Sequence, residues 1–228
     1  MAKNQFDNIE FLSIGDLAAG LENGMFSSTD LVRCFSEKIS LEDKDFNSIA
    51  FINPQANDIA QKMDEERRAG HVRSGLHGIP IVIKDNIDTA DEMMTSAGSL
   101  ALDGARAHRD AHLVSRLRAG GAVILAKTNL SEWANFRSTR SCTGWSSRGG
   151  QVRNAYAVDR TPGGSSSGSA VAVARSFCAG AIGTETDGSI VVPAAMNSLV
   201  GIKPTIGMVS RAGVIPISFS QDLSLIHI

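Results

Sequence analysis

Apolar residues recur at helical spacing along residues 14–69 of the chain. In two successive segments they fall on a single helical face, namely Ile14, Leu17 and Leu21, and then Leu31, Phe35 and Ile39. Gly24 closes the first segment, and a Ser/Thr sequence caps the second. Pro54 begins a third segment, which Gly70 ends, and a short apolar strand precedes it. This part of the chain is therefore predicted to be mainly helical.

Two apolar, β-branched segments further along the chain predict buried strands. They are GIPIVIK, residues 78–84, and AVILAKT, residues 122–128. Between them, an apolar face over 113–117 predicts a helix that Asp110 caps. The small residues of 169–184 predict a second helix that runs into another strand. The order strand, helix, strand predicts parallel α/β construction.

Composition restricts the class of partner. The chain has 228 residues, 43% of them hydrophobic, so it can bury a core, and its net charge of -2 gives no electrostatic reason to bind nucleic acid or an anionic membrane. A small-molecule or peptide partner is expected. No signal peptide or segment of transmembrane length is present, which predicts a cytoplasmic location. The cysteines lack disulfide or zinc spacing and are expected to be reduced thiols: Cys34, Cys142 and Cys178.

The Gly/Ser-rich segment GGSSSGS, residues 163–169, has several interpretations. It is short for a flexible linker, and an apolar helix pattern follows it, so its amides would lie near a helix N-terminus. The lysine of a phosphate loop and the dinucleotide fingerprint are both absent. The sequence GSSSG does match G-x-S-x-G with Ser166 at its centre. A His-dependent esterase built on Ser166 would need a later histidine, and His227 is the only one.

A serine nucleophile can also be activated by a neutral lysine. Lys84 ends the apolar strand GIPIVIK, and Asp85 and Asn86 follow it and could orient its amine. Burial would favour the neutral form that can accept a proton. The alternative is a strand-end lysine that points into solvent.

Four motifs occur together in this chain: GIPIVIKDNI, GGSSSGSAVAVA, GTETDGSIVVPAA and GIKPTIGMVSRAG. In combination they resemble the amidase signature family of serine hydrolases. The resemblance implies an α/β fold, a doubly wound α/β/α sandwich around a mixed sheet, of which this chain would form the N-terminal portion. It also implies hydrolysis of carboxamide C–N bonds by a Ser-cis-Ser-Lys triad through an acyl-enzyme.

The resemblance assigns roles to individual residues. Ser189 would be the nucleophile, Ser165 the bridging serine with a cis peptide bond to Gly164, and Lys84 the base. The oxyanion would be held by four consecutive backbone N–H groups, those of Thr186, Asp187, Gly188 and Ser189. No cofactor or metal is implied, and the expected partner is a small-molecule or peptide amide substrate.

The sequence ETDGS at 185–189 departs from the DTGGS found in many family members. Glu185 replaces an aspartate, and Asp187 replaces a glycine beside the nucleophile. With TSAGSLAL, KTNLSEWANFR and SFSQD, this variant resembles the bacterial peptide amidases, which remove the C-terminal amide of peptides. An inactive amidase-like binding fragment and a glutamine-hydrolysing amidotransferase component remain alternatives.

Two further residue pairs have competing interpretations. His108 and His112 are four residues apart and could share a metal ion, but no third ligand is evident, and surface histidines are the simpler interpretation. Trp133 and Phe136 could line a substrate pocket or pack in the core.

The end of the chain carries a separate expectation. Residues 1–228 are predicted to form a single amidase-signature domain that lacks its C-terminal part. The last six residues, LSLIHI at 223–228, match the translation of a transposon-end adapter and predict a non-native tail without a closing helix or strand. His227 would then have no functional meaning, and the chain as written would be inactive.

Overall fold

A mixed five-stranded sheet forms the centre of the molecule, in a computed structural model that describes residues 8–227 and, for 223–227, the backbone alone. The sheet strands are β1 (Ile49–Ile52), β2 (Pro80–Lys84), β3 (Val123–Thr128), β6 (Ala181–Glu185) and β7 (Leu223–His227), in the order β1-β3-β2-β6-β7. Strand β2 is parallel to both β3 and β6, whereas the outer pairs β1–β3 and β6–β7 are antiparallel. A separate hairpin joins β4 (Trp145–Ser146) and β5 (Gly150–Gln151). The parallel pairing of the two predicted buried strands is confirmed.

Within residues 8–227, six α-helices accompany the sheet. They are α1 (Ile14–Glu22), α2 (Ser28–Glu42), α3 (Ala56–Arg68), α4 (His112–Ala119), α5 (Ser167–Ala174) and α6 (Val191–Met196). Short 3-10 turns cover Ile9–Phe11, Asp43–Asp45, Leu100–Leu102 and Glu132–Asn135. Helices α1 and α2 each begin with a capping box, in which Ser13 pairs with Asp16 and Ser27 with Asp30. The predicted helical nature of the N-terminal part is confirmed.

The two faces of the sheet bury separate hydrophobic cores. On one face, Val82, Val123 and Leu125 pack with α1, α2, α3 and α5. On the other, Ile83 and Ile124 pack with side chains of α4. Successive strand residues point to opposite faces, so both cores draw on the same two strands. The result is the layered α/β arrangement that the motifs imply.

The structure corrects the predicted start of α4. Asp110 does not cap this helix, because Ala111 is the capping residue and makes no side-chain cap hydrogen bond. The Asp110 carboxylate instead accepts the N–H of Ala90 at 2.7 Å and pairs with Arg118 at 3.2 Å. A long-range backbone donor and a cation have replaced the local cap.

The end of the described chain also differs from expectation. No closing strand is expected there, yet Leu223–His227 forms β7, whose backbone pairs with β6 from Ala181↔His227 to Glu185↔Leu223. The proposed non-native tail includes Ile228, which lies outside the described residues. Within 8–227, none of the helices combines the length and the apolar character that crossing a bilayer requires.

Candidate active site

Polar residues from three chain segments meet at the C-terminal ends of β2 and β6. Lys84 is the last residue of β2, and Thr184 and Glu185 end the neighbouring strand β6. Ser165 precedes α5, which packs against both strands. In open α/β sheets, ligand-binding crevices lie at this edge, where neighbouring strands are connected in opposite directions.

Lys84 is fully buried, which excludes the solvent-facing alternative. Its Nζ donates to Ser165 Oγ at 2.8 Å, to Thr184 Oγ1 at 2.9 Å and to Thr184 O at 3.3 Å. Burial lowers the pKa of Lys84 to about 7, although the charges of Glu185 and Asp222 act in the opposite direction. A lysine with this pKa is substantially neutral near neutral pH and can accept a proton.

The peptide bond between Gly164 and Ser165 is cis, as the family resemblance implies. The carbonyl of Ser165 accepts the N–H of Ser131 at 3.1 Å, so hydrogen bonds hold both the backbone and the side chain of Ser165. The neighbouring Ser166 hydroxyl donates to Thr184 O at 3.1 Å and accepts the Thr184 N–H at 3.2 Å. Ser166 therefore joins α5 to β6 and is not presented as an exposed nucleophile.

Ser189 lies in the loop of residues 186–190, between β6 and α6, and is buried. Its carbonyl accepts the N–H of Ser166 at 3.1 Å, which places its backbone beside the Ser165–Ser166 pair. Among the residues that the structure describes, the Ser189 hydroxyl has no hydrogen-bond partner. The structure thus brings Lys84 and Ser165 into direct contact, and a backbone hydrogen bond joins Ser189 to Ser166, the residue after Ser165.

The Glu185 carboxylate organises the same loop. It is buried, and its Oε1 accepts the N–H of Gly188 at 2.9 Å. Its Oε2 accepts the N–H groups of Ile190 at 2.8 Å and Val191 at 3.1 Å. Gly188 has a φ of 73°, a left-handed conformation that glycine adopts without steric cost.

Glu185 thereby occupies one of the four amides expected in the oxyanion hole, that of Gly188. Within the described part of the chain, the amides of Asp187 and Ser189 have no protein acceptor. The side chain of Asp187 is exposed.

The remaining candidates from the sequence are an aromatic pair and three histidines. Trp133 is half-buried and Phe136 is exposed, so Phe136 is not a core residue. His108 and His112 are both exposed, and no cluster of metal-ligating side chains occurs within residues 8–227. His227 lies in β7, and its side chain is outside what the structure describes.

Comparison with known proteins identifies the group that these motifs come from. The family model described as Amidase matches residues 30–224. The chain belongs to the amidase family. An amidase-family protein of Schizosaccharomyces pombe is 47% identical over 222 residues, an alignment that covers 97% of this chain and 38% of that protein. The chain also resembles a glutamyl-tRNA(Gln) amidotransferase component of Pseudomonas aeruginosa, at 41% identity over 92% of this chain and 42% of that component.

Among solved structures, the native peptide amidase of Stenotrophomonas maltophilia superimposes with a TM-score of 0.93. The two sequences are 52% identical, and the alignment covers 97% of this chain and 45% of the peptide amidase. The chain therefore spans less than half the length of each of these relatives.

Three residues of the candidate site are missed by sequence reasoning. Thr184 accepts from Lys84 and also from Asn86 Nδ2 at 2.9 Å, so it joins the last residue of β2 to a polar residue of the loop that follows. Glu185 organises the 186–190 loop, and Asp222 accepts the hydroxyl of Thr186 at 2.5 Å. Their positions within GTETDGS and SFSQD are the only signal in the sequence, because hydrogen bonding between strand ends and distant loops leaves no periodic pattern.

Asp85, which was predicted to orient Lys84, has other partners. Its carboxylate accepts the hydroxyl and the N–H of Ser96, the latter at 3.2 Å. Asn86 acts on Lys84 indirectly, through Thr184. Of the two polar residues after β2, one therefore serves the candidate site and the other fixes the loop that follows.

Proposed function

We propose that this chain carries the catalytic machinery of a serine amidase, with Ser189 as nucleophile, Ser165 as proton relay and Lys84 as base. The observation that carries the proposal is the contact of 2.8 Å between the buried Lys84 amine and Ser165 Oγ. Burial lowers the pKa of this amine to about 7, which suits a general base working near neutral pH. The match to the amidase family supports the same assignment.

In the proposed reaction, Ser189 Oγ attacks the amide carbonyl while its proton passes to Ser165 Oγ and the proton of Ser165 passes to neutral Lys84. The tetrahedral oxyanion is held by the backbone N–H groups of Asp187 and Ser189, which Glu185 does not occupy. Return of a proton through the same relay releases ammonia or an amine and leaves an acyl-enzyme on Ser189. Water then attacks the ester under the same base, which regenerates Ser189 and yields the carboxylic acid.

C-terminal peptide amides are the substrate class that we favour. The support is the ETDGS sequence together with 52% identity to a solved peptide amidase. Glutamine is the second candidate, because an amidotransferase component is 41% identical to this chain. Our predictions of a cytoplasmic location and of catalysis without a cofactor accompany this proposal.

The proposal is tested with the full-length product of the gene that encodes this chain, assayed beside the 228-residue form. Peptide amides, simple aliphatic and aromatic amides, and glutamine are compared for ammonia release. We expect peptide amides to be the preferred substrates, and dominant release of ammonia from glutamine would refute that preference.

Two alanine variants separate the proposed nucleophile from its rival. Ser189→Ala should abolish hydrolysis, whereas Ser166→Ala, the matched control, should retain it. The opposite result would favour the Ser166 esterase hypothesis. Substrate binding without turnover by the full-length protein would favour an amidase-like binding function.

A further inference from the structure

A buried carboxylate from the SFSQD segment reaches the loop that carries Ser189. Asp222 is only 8% exposed, and its Oδ2 accepts the N–H of Ile217 at 2.7 Å. The N–H of Ser218 lies 2.9 Å from both of its oxygens. These bonds fix the carboxylate within its own turn.

One further hydrogen bond leaves that turn. Thr186 Oγ1 donates to Asp222 Oδ1 at 2.5 Å. Thr186 is the first residue after β6, at the start of the 186–190 loop. Thr186 is 36 residues from Asp222 in the sequence, so this hydrogen bond is not part of the local turn. Asp222 therefore connects the 217–222 turn to the nucleophile loop.

Glu185 holds the same loop from its other side. Its carboxylate accepts three backbone N–H groups, from Gly188, Ile190 and Val191. Hydrogen bonds to a carboxylate are stronger than those between neutral groups, especially where water is excluded. Asp222 therefore holds the start of the loop by accepting from the Thr186 side chain. Glu185 holds the end of the loop by accepting from backbone N–H groups.

These hydrogen bonds affect the position of Ser189. This residue lies between the two held positions, and its hydroxyl has no hydrogen-bond partner within the described residues. Its orientation therefore depends on the loop backbone, and a displacement of about 1 Å at a reacting atom can cost roughly a hundredfold in rate.

We propose that Asp222 and Glu185 are positioning residues, which hold the 186–190 loop so that Ser189 faces the substrate carbonyl, Asp222 acting through the Thr186 hydroxyl. This inference rests on the proposed function of Ser189. It adds that the SFSQD segment supports catalysis without touching the substrate, and that Gly188 N–H serves Glu185 instead of the oxyanion. Loss of either contact should lower kcat and leave KM nearly unchanged.

The test compares Thr186→Val with Thr186→Ser in the full-length gene product. Valine keeps the shape of threonine but removes the hydroxyl, whereas serine keeps the hydroxyl. For Thr186→Val we expect kcat to fall about tenfold to a hundredfold, with KM changed by less than about threefold. Thr186→Ser should retain kcat within about threefold of the parent. Hydrogen exchange of the amides in 186–190 should accelerate in the valine variant and not in the serine variant.

Unchanged exchange in Thr186→Val would overturn the inference, whatever happens to kcat, and so would a parental kcat in that variant while Ser189→Ala is inactive. Ser189→Ala is measured in parallel to separate the two proposals. If Ser189→Ala remained active, the proposed function would fail, and the exchange experiment would still decide whether Asp222 holds the loop.

Discussion

Two lysines are fully buried in neighbouring parallel strands, and their surroundings differ. Lys84 ends β2 and Lys127 lies near the end of β3, where it is paired in register with Ile83. Because successive strand residues alternate, Lys127 shares the face of Ile83 and Lys84 points to the opposite face. The two amines therefore enter separate environments although they lie almost side by side.

The two environments differ in the groups that accept hydrogen bonds from each amine. Lys84 meets two hydroxyls and a carbonyl, from Ser165 and Thr184, and a hydroxyl can both accept and donate a proton. Lys127 Nζ donates to the carbonyl of Ile87 at 2.6 Å and to Thr95 Oγ1 at 3.1 Å. Burial lowers the pKa of Lys127 to about 8, against the opposing charge chiefly of Asp85.

The comparison teaches that burial alone does not make a lysine a base. Lys127 ties β3 to the loop after β2 and is matched by acidic residues on that loop. Lys84 has a serine hydroxyl within proton-transfer distance, and that serine lies beside the backbone of a second serine. What distinguishes the candidate base is that its hydroxyl partner lies beside a second serine, whereas the hydroxyl that Lys127 meets, Thr95 Oγ1, donates to the backbone carbonyl of Ile87.

The largest expected effect is on activity at Lys84. In the full-length gene product, Lys84→Met should lower kcat/KM by about 10³-fold or more, because no base remains. Lys84→Arg should be similarly inactive, since arginine keeps its proton. Both are measured with a peptide amide substrate, and circular dichroism verifies the fold. Activity near the parental level in either variant would remove Lys84 from the mechanism.

The matched variant Lys127→Met should instead reduce stability. It removes the donor to Ile87 O and leaves the buried Asp85 without its main positive neighbour. We expect the free energy of unfolding to fall by about 3 kcal/mol in urea denaturation, the usual scale for leaving a buried charge without its compensating neighbour. The kcat of the folded variant should stay within about tenfold of the parent. A loss of kcat as large as that of Lys84→Met, without loss of stability, would erase the distinction between the two lysines.

The pH dependence of activity sharpens the contrast further. Lys84 must be neutral to accept a proton, and its pKa is lowered to about 7. Below that pH, kcat should therefore fall about tenfold for each unit, and above it kcat should level off. A profile that stays flat from about pH 5 to about pH 9 would show that no group of this kind limits the reaction.

The smallest effect is on stability as a function of pH. The pKa of Lys84 is about 7 in the folded chain and 10.5 in its ordinary state, so between these values the unfolded chain binds the additional proton. Stability contributed by this group therefore rises with pH in that window, by about 1.4 kcal/mol per unit. The difference in unfolding free energy between parent and Lys84→Met, followed from about pH 7 to about pH 9, isolates this contribution because other groups cancel. A difference that does not change with pH would contradict a neutral Lys84.

Much of the fold follows from patterns that are local in the chain. The apolar spacing of 14–39 and the serines at 13 and 27 are sufficient for α1 and α2, since a helix buries one stripe and needs a cap at its start. The β-branched segments ending at Lys84 and Thr128 are sufficient for β2 and β3. Asp110 shows the limit of this reasoning, because a distant amide and Arg118 compete successfully for its carboxylate.

In the candidate site, too, the sequence indicates some features and leaves others undetermined. Motif resemblance alone selects Lys84, Ser165 and Ser189, but not the contact between Lys84 and Ser165, which are 81 residues apart in the sequence. Thr184 and Asp222 were missed because nothing near them in the chain indicates which distant donors they accept. Hydrogen-bond partners across a sheet edge depend on how whole elements pack.

The sequence by itself determined that two lysines lie in apolar strands, since GIPIVIK and AVILAKT share one pattern. Only the tertiary structure decided that Lys84 faces Ser165 and that Lys127 faces Ile87 O and Thr95. The physical reason is that strand alternation sends the two side chains to opposite faces of the sheet, and remote segments of the chain cover each face. The chemistry of a buried amine is set by those remote segments, and the strand pattern carries no information about them.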